Sequence, residues 1–142
     1  MEQIFPTKLN DYCSYFEISF FDLSLKCIFC RHYLTLVDLA KFHDKDLSLV
    51  WRGNICYACC DKCICCSARY EANKHFQCTF KTDSLHSIVQ KPLQEIDIRC
   101  YYCLRVLTLV EKFDLIAQGK PTCLIRGYFR APCTECLRKE LY

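Results

Sequence analysis

Eight of the fifteen cysteines fall into four CxxC pairs on a nearly symmetric ruler, and no other feature narrows the possible folds so far. The pairs are Cys27/Cys30, Cys60/Cys63, Cys100/Cys103 and Cys133/Cys136, with 29, 36 and 29 residues between successive pairs. A CxxC turn offers two thiolates to one metal ion, and two such turns complete a closed tetrahedral site. The equal outer intervals therefore join the first turn to the second and the third to the fourth. The expectation is two zinc ions per chain, each closing a loop of the same length.

Seven cysteines remain: Cys13, Cys56, Cys59, Cys65, Cys66, Cys78 and Cys123. Cys56/Cys59 and Cys63/Cys66 also have CxxC spacing, but only Cys60/Cys63 repeats the 29-residue interval, so symmetry selects it. The other seven are expected as small core residues. A disulfide framework fits poorly. The count is odd, and the start from Met1 to Pro6 has no apolar leader stretch, so the thiols are expected to stay reduced and free for metal.

Catalysis is not expected. His32, His43, His75 and His86 sit in no motif that names a base. His32 and His75 are available as ligands, but eight regular thiols already fill two sites. A closed Cys₄ centre leaves no position for a water nucleophile. No apolar run reaches the roughly 18 residues a membrane span needs. The net charge of +3 is too small for a dedicated polyanion binder. Arg99, Arg105, Arg126, Arg130, Arg138 and Lys139 allow weak DNA contact through phosphates, and a zinc-dependent nucleic-acid-binding transcriptional regulator is the alternative reading. No basic helix or C₂H₂ finger supports it. Hydrophobic residues make up 52% of the chain, enough to fill two small cores or to leave an apolar patch for a partner.

The repeat runs beyond the cysteines. Leu34-Thr35-Leu36-Val37-Asp38 follows the first pair as Leu107-Thr108-Leu109-Val110-Glu111 follows the third. Thr35 with Asp38, and Thr108 with Glu111, have capping-box spacing. The apolar pattern then predicts a helix in each half, facing inward through Leu36, Leu39 and Ala40, and through Leu109, Phe113 and Ile116. Strands are predicted over Leu47–Trp51 and Thr122–Ile125, turns at Arg52-Gly53 and Arg126-Gly127, and second strands leading into the closing pairs. A helix over about 64–76 and a strand over 77–80 follow the second pair. The fold class is α+β: two tandem pseudo-symmetric zinc-binding domains joined by a helix, residues 1–76 including that helix, then 77–142.

The full spacing, with Leu25-Lys26-Cys27-Ile28-Phe29-Cys30, Leu49-Val50-Trp51-Arg52, Tyr57-Ala58-Cys59-Cys60, Lys91-Pro92-Leu93 and Ile98-Arg99-Cys100, resembles the papillomavirus early protein six family. The resemblance covers nearly the whole chain. It implies a viral oncoprotein with no enzymatic activity of its own. In the family, two zinc domains and their linking helix enclose an apolar groove for a helical LxxLL peptide of a host protein. Positions matching that groove are Ile28, Phe29, Leu47, Val50, Ile64, Ser67, Tyr70 and Arg99, with Arg99 set to meet acidic groups or the peptide's last carbonyls. A further basic groove position falls here on Tyr128.

The partners implied are a HECT-type ubiquitin ligase, redirected onto targets that include a tumour-suppressor transcription factor and Bak, or Mastermind-like coactivators of Notch signalling. The roles implied are suppression of apoptosis and of the innate response, and altered transcription, in the host nucleus and host cytoplasm. Some members end in a PDZ-binding motif. Here Glu140 stands where a hydroxyl residue is needed and Tyr142 is last, so PDZ partners are not expected. That ending and Tyr128 favour the Mastermind-like group, often found in skin-tropic types. Whether the chain forms a homodimer is left open by the sequence.

Overall fold

The computed structural model describes residues 5–140. The expectations for Met1 and for Tyr142 lie outside them. The chain divides into two units between Ile64 and Cys65. That division falls inside the long helix Asp61–His75, which the sequence pattern places wholly with the first half.

The first unit contains α1 (Leu9–Phe16), β1 (Lys26–Cys27), α2 (Leu36–Asp44), β2 (Val50–Arg52), β3 (Ile55–Ala58) and the opening turn of α3 (Asp61–His75). Its sheet runs β1-β3-β2. β2 and β3 form an antiparallel hairpin, while β1 lies parallel to β3 with Lys26 opposite Tyr57 and Cys27 opposite Ala58. A parallel pair needs a crossover, and α2 with β2 supplies it. Leu25, Cys27, Leu39, Phe42 and Ala58 are buried. Trp51 fixes the start of the described chain. Its indole N–H donates to the Pro6 carbonyl at 2.8 Å, and its ring stacks on Phe5 at 4.4 Å.

The second unit repeats the plan and adds to it. After the rest of α3 come β4 (Phe76–Lys81), α4 (Leu85–Val89), β5 (Ile98–Cys100), α5 (Leu109–Ala117), β6 (Pro121–Ile125), β7 (Tyr128–Ala131) and α6 (Thr134–Glu140). The sheet order is β4-β6-β7-β5. β5 is parallel to β7 with Cys100 opposite Ala131, matching the register of the first unit. β4 is the added strand, antiparallel to β6. Leu85, Ile96, Ile98, Leu107 and Leu115 form the core, with Phe80 and Phe129 packed against it.

The expectations for one turn, one strand and both helix faces need correction. The turn of the first hairpin is Gly53-Asn54, because Arg52 still pairs with Ile55. Only Gly53 there has positive φ, at 62°. In the second hairpin Arg126 (53°) and Gly127 (81°) are both left-handed, the pair a type I′ turn requires. The first strand is shorter than its apolar run, because Leu47 and Leu49 belong to the connection.

The helix faces differ most. Leu36 and Ala40 are exposed, and only Leu39 of the expected face is buried. On α5, Leu109 and Phe113 lie outward, while Glu111, Lys112 and Leu115 are buried. Fixed polar partners turn this helix. Glu111 is drawn in by backbone N–H groups and Arg105. Lys112 is only 4% exposed and donates to the carbonyls of Leu93 and Ile96 at 3.0 and 2.5 Å. Burial pulls the Lys112 ammonium below the ordinary lysine range, with nearby Asp97 opposing. Replacing Lys112 by Met keeps the stem and leaves both carbonyls without this donor. Urea unfolding of K112M is expected to show a loss of about 1–3 kcal/mol.

Candidate metal centres

The opening CxxC turn of each unit is built by the same backbone bonds. In the first unit Arg31 N–H donates to the Cys27 carbonyl, Cys27 N–H to His32 and Ile28 N–H to Ala58. In the second, Leu104 N–H donates to Cys100, Cys100 N–H to Arg105 and Tyr101 N–H to Ala131. Closing the turn drives Arg31 and Leu104 to φ of 65° and 63°, a left-handed conformation that costs a side chain roughly 1–2 kcal/mol. The parallel pairing of β1 with β3, and of β5 with β7, then brings each opening turn to the start of the helix that carries the closing turn.

The result is two tetracysteine clusters, Cys27/Cys30/Cys60/Cys63 and Cys100/Cys103/Cys133/Cys136. The sulfurs of each lie within 4.8 Å of one another. Cys30 and Cys60 Sγ are 3.9 Å apart, as are Cys103 and Cys133 Sγ. A zinc ion with Zn–S bonds near 2.3 Å sets the edge of its sulfur tetrahedron at about 3.8 Å. Four soft donors at that spacing fit zinc. Each cluster can hold one ion, which supplies the bond between distant parts of a small core.

Backbone donors, neighbouring sulfurs and burial set the charge on these sulfurs unequally. Burial pushes the Cys27 thiol up, but N–H groups of Cys30, Cys60 and Phe29 outweigh it and bring the thiol to about 6. The Cys133 thiol is held far below the usual range by the neighbouring Cys100 and Cys103 thiols, with Arg105 also beside it. Cys100 Sγ accepts from Tyr102 N–H at 3.4 Å and Cys133 N–H at 3.3 Å. Conversely, burial first and then neighbouring sulfurs drive Cys136 up to about 12.

A carboxylate braces each cluster. Both capping boxes form: Thr35 with Asp38 on α2, and Thr108 with Glu111 on α5. The same acids also reach the next metal-bearing helix. Asp38 Oδ1 accepts from Asp61 N–H at 3.3 Å, at the start of α3. Glu111 Oε2 accepts from Thr134 N–H at 2.8 Å, at the start of α6. One side chain thereby caps two helices and sets the second beside the first. The sequence spacing reveals the first half of this role; the second depends on a tertiary approach. Asp61 is itself bound by Lys41 at 3.2 Å and by buried Lys45 at 2.7 Å. Glu111 instead pairs with Arg105 at 2.6 Å, and the Arg105 guanidinium lies against Cys133.

The remaining cysteines do not behave as a group of core residues. Cys56 is buried, Cys13, Cys59 and Cys123 are partly covered, and Cys65, Cys66 and Cys78 are exposed. Cys65 and Cys66 lie on the solvent side of α3, and Cys78 lies on β4, where Phe76, Gln77, Cys78 and Thr79 are exposed in succession. His32 is exposed and His75 packs edge-on to Tyr70; neither joins a cluster.

The positions expected to meet a peptide are divided between the units. Ile28, Phe29, Leu47, Val50 and Ile64 belong to the first, and Ser67, Tyr70, Arg99 and Tyr128 to the second. Phe29, Tyr70 and Tyr128 are exposed, at 64%, 60% and 60%. Ile28, Leu47, Val50 and Ser67 are partly covered, and Ile64 is buried. Arg99 is partly covered and donates to the Leu104 carbonyl at 2.9 Å. The Arg130 guanidinium sits over the Tyr128 ring at 5.3 Å and 4.0 Å from Glu71. Among the described residues no helix is long and apolar enough to cross a membrane.

A family profile described as Early Protein (E6) matches residues 27–136. Protein E6 of Human papillomavirus 4 is 51% identical over 135 residues, covering 95% of this chain and 96% of that protein. Protein E6 of Human papillomavirus type 48 is 47% identical over 140 residues, covering 99% of each. A solution structure of the C-terminal zinc-binding domain of HPV51 oncoprotein E6 aligns with a TM-score of 0.40 at 29% identity, over 44% of this chain and 82% of that one.

Proposed function

Because the chain belongs to the papillomavirus E6 family, we propose that it is a non-enzymatic adaptor that captures an LxxLL helix of a host protein and brings a second protein to it. The observation that carries this reading is the exposure of Phe29, Tyr70 and Tyr128, large side chains that normally gain by burial. A leucine-rich helix is the occupant they suit. Burying three leucines on apolar surface supplies several kcal/mol at about 25 cal/mol per Å², before the cost of association. Within the first unit, Ile28, Leu47 and Val50 are partly covered aliphatic side chains that the same reading assigns to the peptide.

Arg99 supplies charge for the peptide's acidic flank, and its bond to the Leu104 carbonyl holds the guanidinium in place beforehand. Tyr128 replaces a second cation with a ring, against which Arg130 stacks. That exchange lowers the demand for acidic residues and favours Mastermind-like coactivators over a HECT-type ligase. Capture in the host nucleus would blunt Notch-dependent transcription by raising the local concentration of one partner near another.

Fluorescence anisotropy with labelled LxxLL peptides of both classes tests this. Wild-type protein is expected to bind, more tightly to the Mastermind-like peptide. Arg99→Ala and Leu47→Glu are each expected to weaken binding by about tenfold or more, equivalent to roughly 1.4 kcal/mol, with two zinc ions retained. Absence of binding to either peptide by the zinc-loaded wild type would sink the reading.

A further inference from the structure

The two clusters share donors and spacing but not surroundings. In the first, Cys30 is exposed; in the second, every ligand is buried or partly covered. A zinc ion with four thiolates carries a net charge of −2, and that charge makes exposed sulfur a target for electrophiles unless cations or N–H donors draw it off. The second cluster has such a cation. Arg105, locked to Glu111 at 2.6 Å, lies against Cys133. The matching position in the first unit is His32, which is exposed. The nearby guanidinium of Arg31 lies over the Tyr57 ring, 4.5 Å from its centroid. Across the first cluster, Cys60 Sγ stands 3.9 Å from Cys30 Sγ, close enough to trap an oxidised sulfur after a small movement.

We propose that the first tetracysteine centre is an oxidation site, entered at Cys30 and resolved by Cys60, and that the second centre is protected from the same reaction. Hydrogen peroxide, a two-electron oxidant, takes the Cys30 sulfur to the sulfenic acid and leaves as hydroxide. The Cys60 thiolate then attacks that sulfur, the S–S bond forms and a second hydroxide departs. Two thiolates lose two electrons in all, and one peroxide gains them. With two of its four donors joined to each other, the first unit releases its ion. The second unit keeps its own, because Arg105 holds electron density away from attack and no ligand there is exposed.

The test uses this chain loaded with two zinc ions, treated with a large excess of hydrogen peroxide beside a zinc-responsive dye, so that oxidant limits neither release. One ion per chain is expected to appear at least about tenfold faster than the second, in line with the effect of groups that support metal ligands. Alkylation and peptide mapping of a sample quenched once the first ion has appeared should find Cys30 joined to Cys60, with Cys100, Cys103, Cys133 and Cys136 unmodified. Release of both ions at one rate, or a first disulfide within the second cluster, overturns the proposal. Arg105→Gln, checked beforehand for two bound zinc ions, is expected to speed the second release several-fold, and an unchanged rate refutes the protective role. If that variant fails to hold both ions, His32→Arg asks the question in reverse on an exposed position. It should slow the first release, and an unchanged rate again counts against the proposal.

Discussion

Stripping zinc with a strong chelator is expected to unfold both units and to collapse the far-ultraviolet circular dichroism signal. Neither unit has much else to rely on. The core of the second centres on a few aliphatic side chains and two of the ligands themselves, Cys100 and Cys133. Domains this small bury too little apolar surface to offset the entropy of ordering the chain. A structural zinc ion contributes on the order of 10 kcal/mol. Acid should act as a weak chelator does. Cys27, drawn to about 6, gives up its proton readily, whereas Cys136, pushed up to about 12, gives it up only to a metal. Binding therefore releases protons, affinity rises with pH, and zinc retained through dialysis should fall as pH is lowered from neutral. A spectrum unchanged after metal removal would contradict the assignment of these clusters as the bond that holds each unit.

Glu111→Ala is expected to cost the second unit about 2–4 kcal/mol, the sum of a lost helix cap and a broken, largely buried charge pair. The carboxylate accepts from Thr108 N–H, caps α6 through Thr134 N–H and holds Arg105 beside Cys133. Its counterpart Asp38 makes the same two caps but no arginine pair, so Asp38→Ala should cost less, about 1–2 kcal/mol. Equal losses in thermal melts of the two variants would mean that the arginine pair adds nothing. The acid limit follows in sign. Burial pushes the Glu111 carboxyl up, yet Arg105 and the N–H groups of Thr134 and Thr108 outweigh it and hold the group below the ordinary range. Its contribution is fully present above the unfolded value, near 4.3, and is lost as pH falls through the lower folded value.

What could be read from the residues was local or repeated. The ruler placed the eight ligands, and the T-x-x-D and T-x-x-E words located the starts of α2 and α5, because capping is decided within four residues. Long-range partners were not legible. Leu109 and Phe113 recur as an inward face should, but Lys112 finds two carbonyls and Glu111 finds a second helix, and these bonds set the rotation of α5. β1 and β5 are two and three residues long, too short for alternation to show, and exist because β3 and β7 offer them an edge. The LxxLL reading rests on family membership together with three exposed rings. No spacing in the chain encodes it.

One asymmetry between the halves bears on how the protein can be handled. β6 is hydrogen-bonded on one flank by β7 and on the other by β4, a strand contributed from well ahead of the third CxxC turn. A shortened C-terminal fragment begun at Lys91 would keep all four sulfur ligands and load zinc, yet leave Pro121–Ile125 with a bare margin of amides. Such margins recruit copies of themselves. Precipitation of that fragment, beside a soluble one begun at Cys65, would trace to a missing neighbour and not to a missing metal.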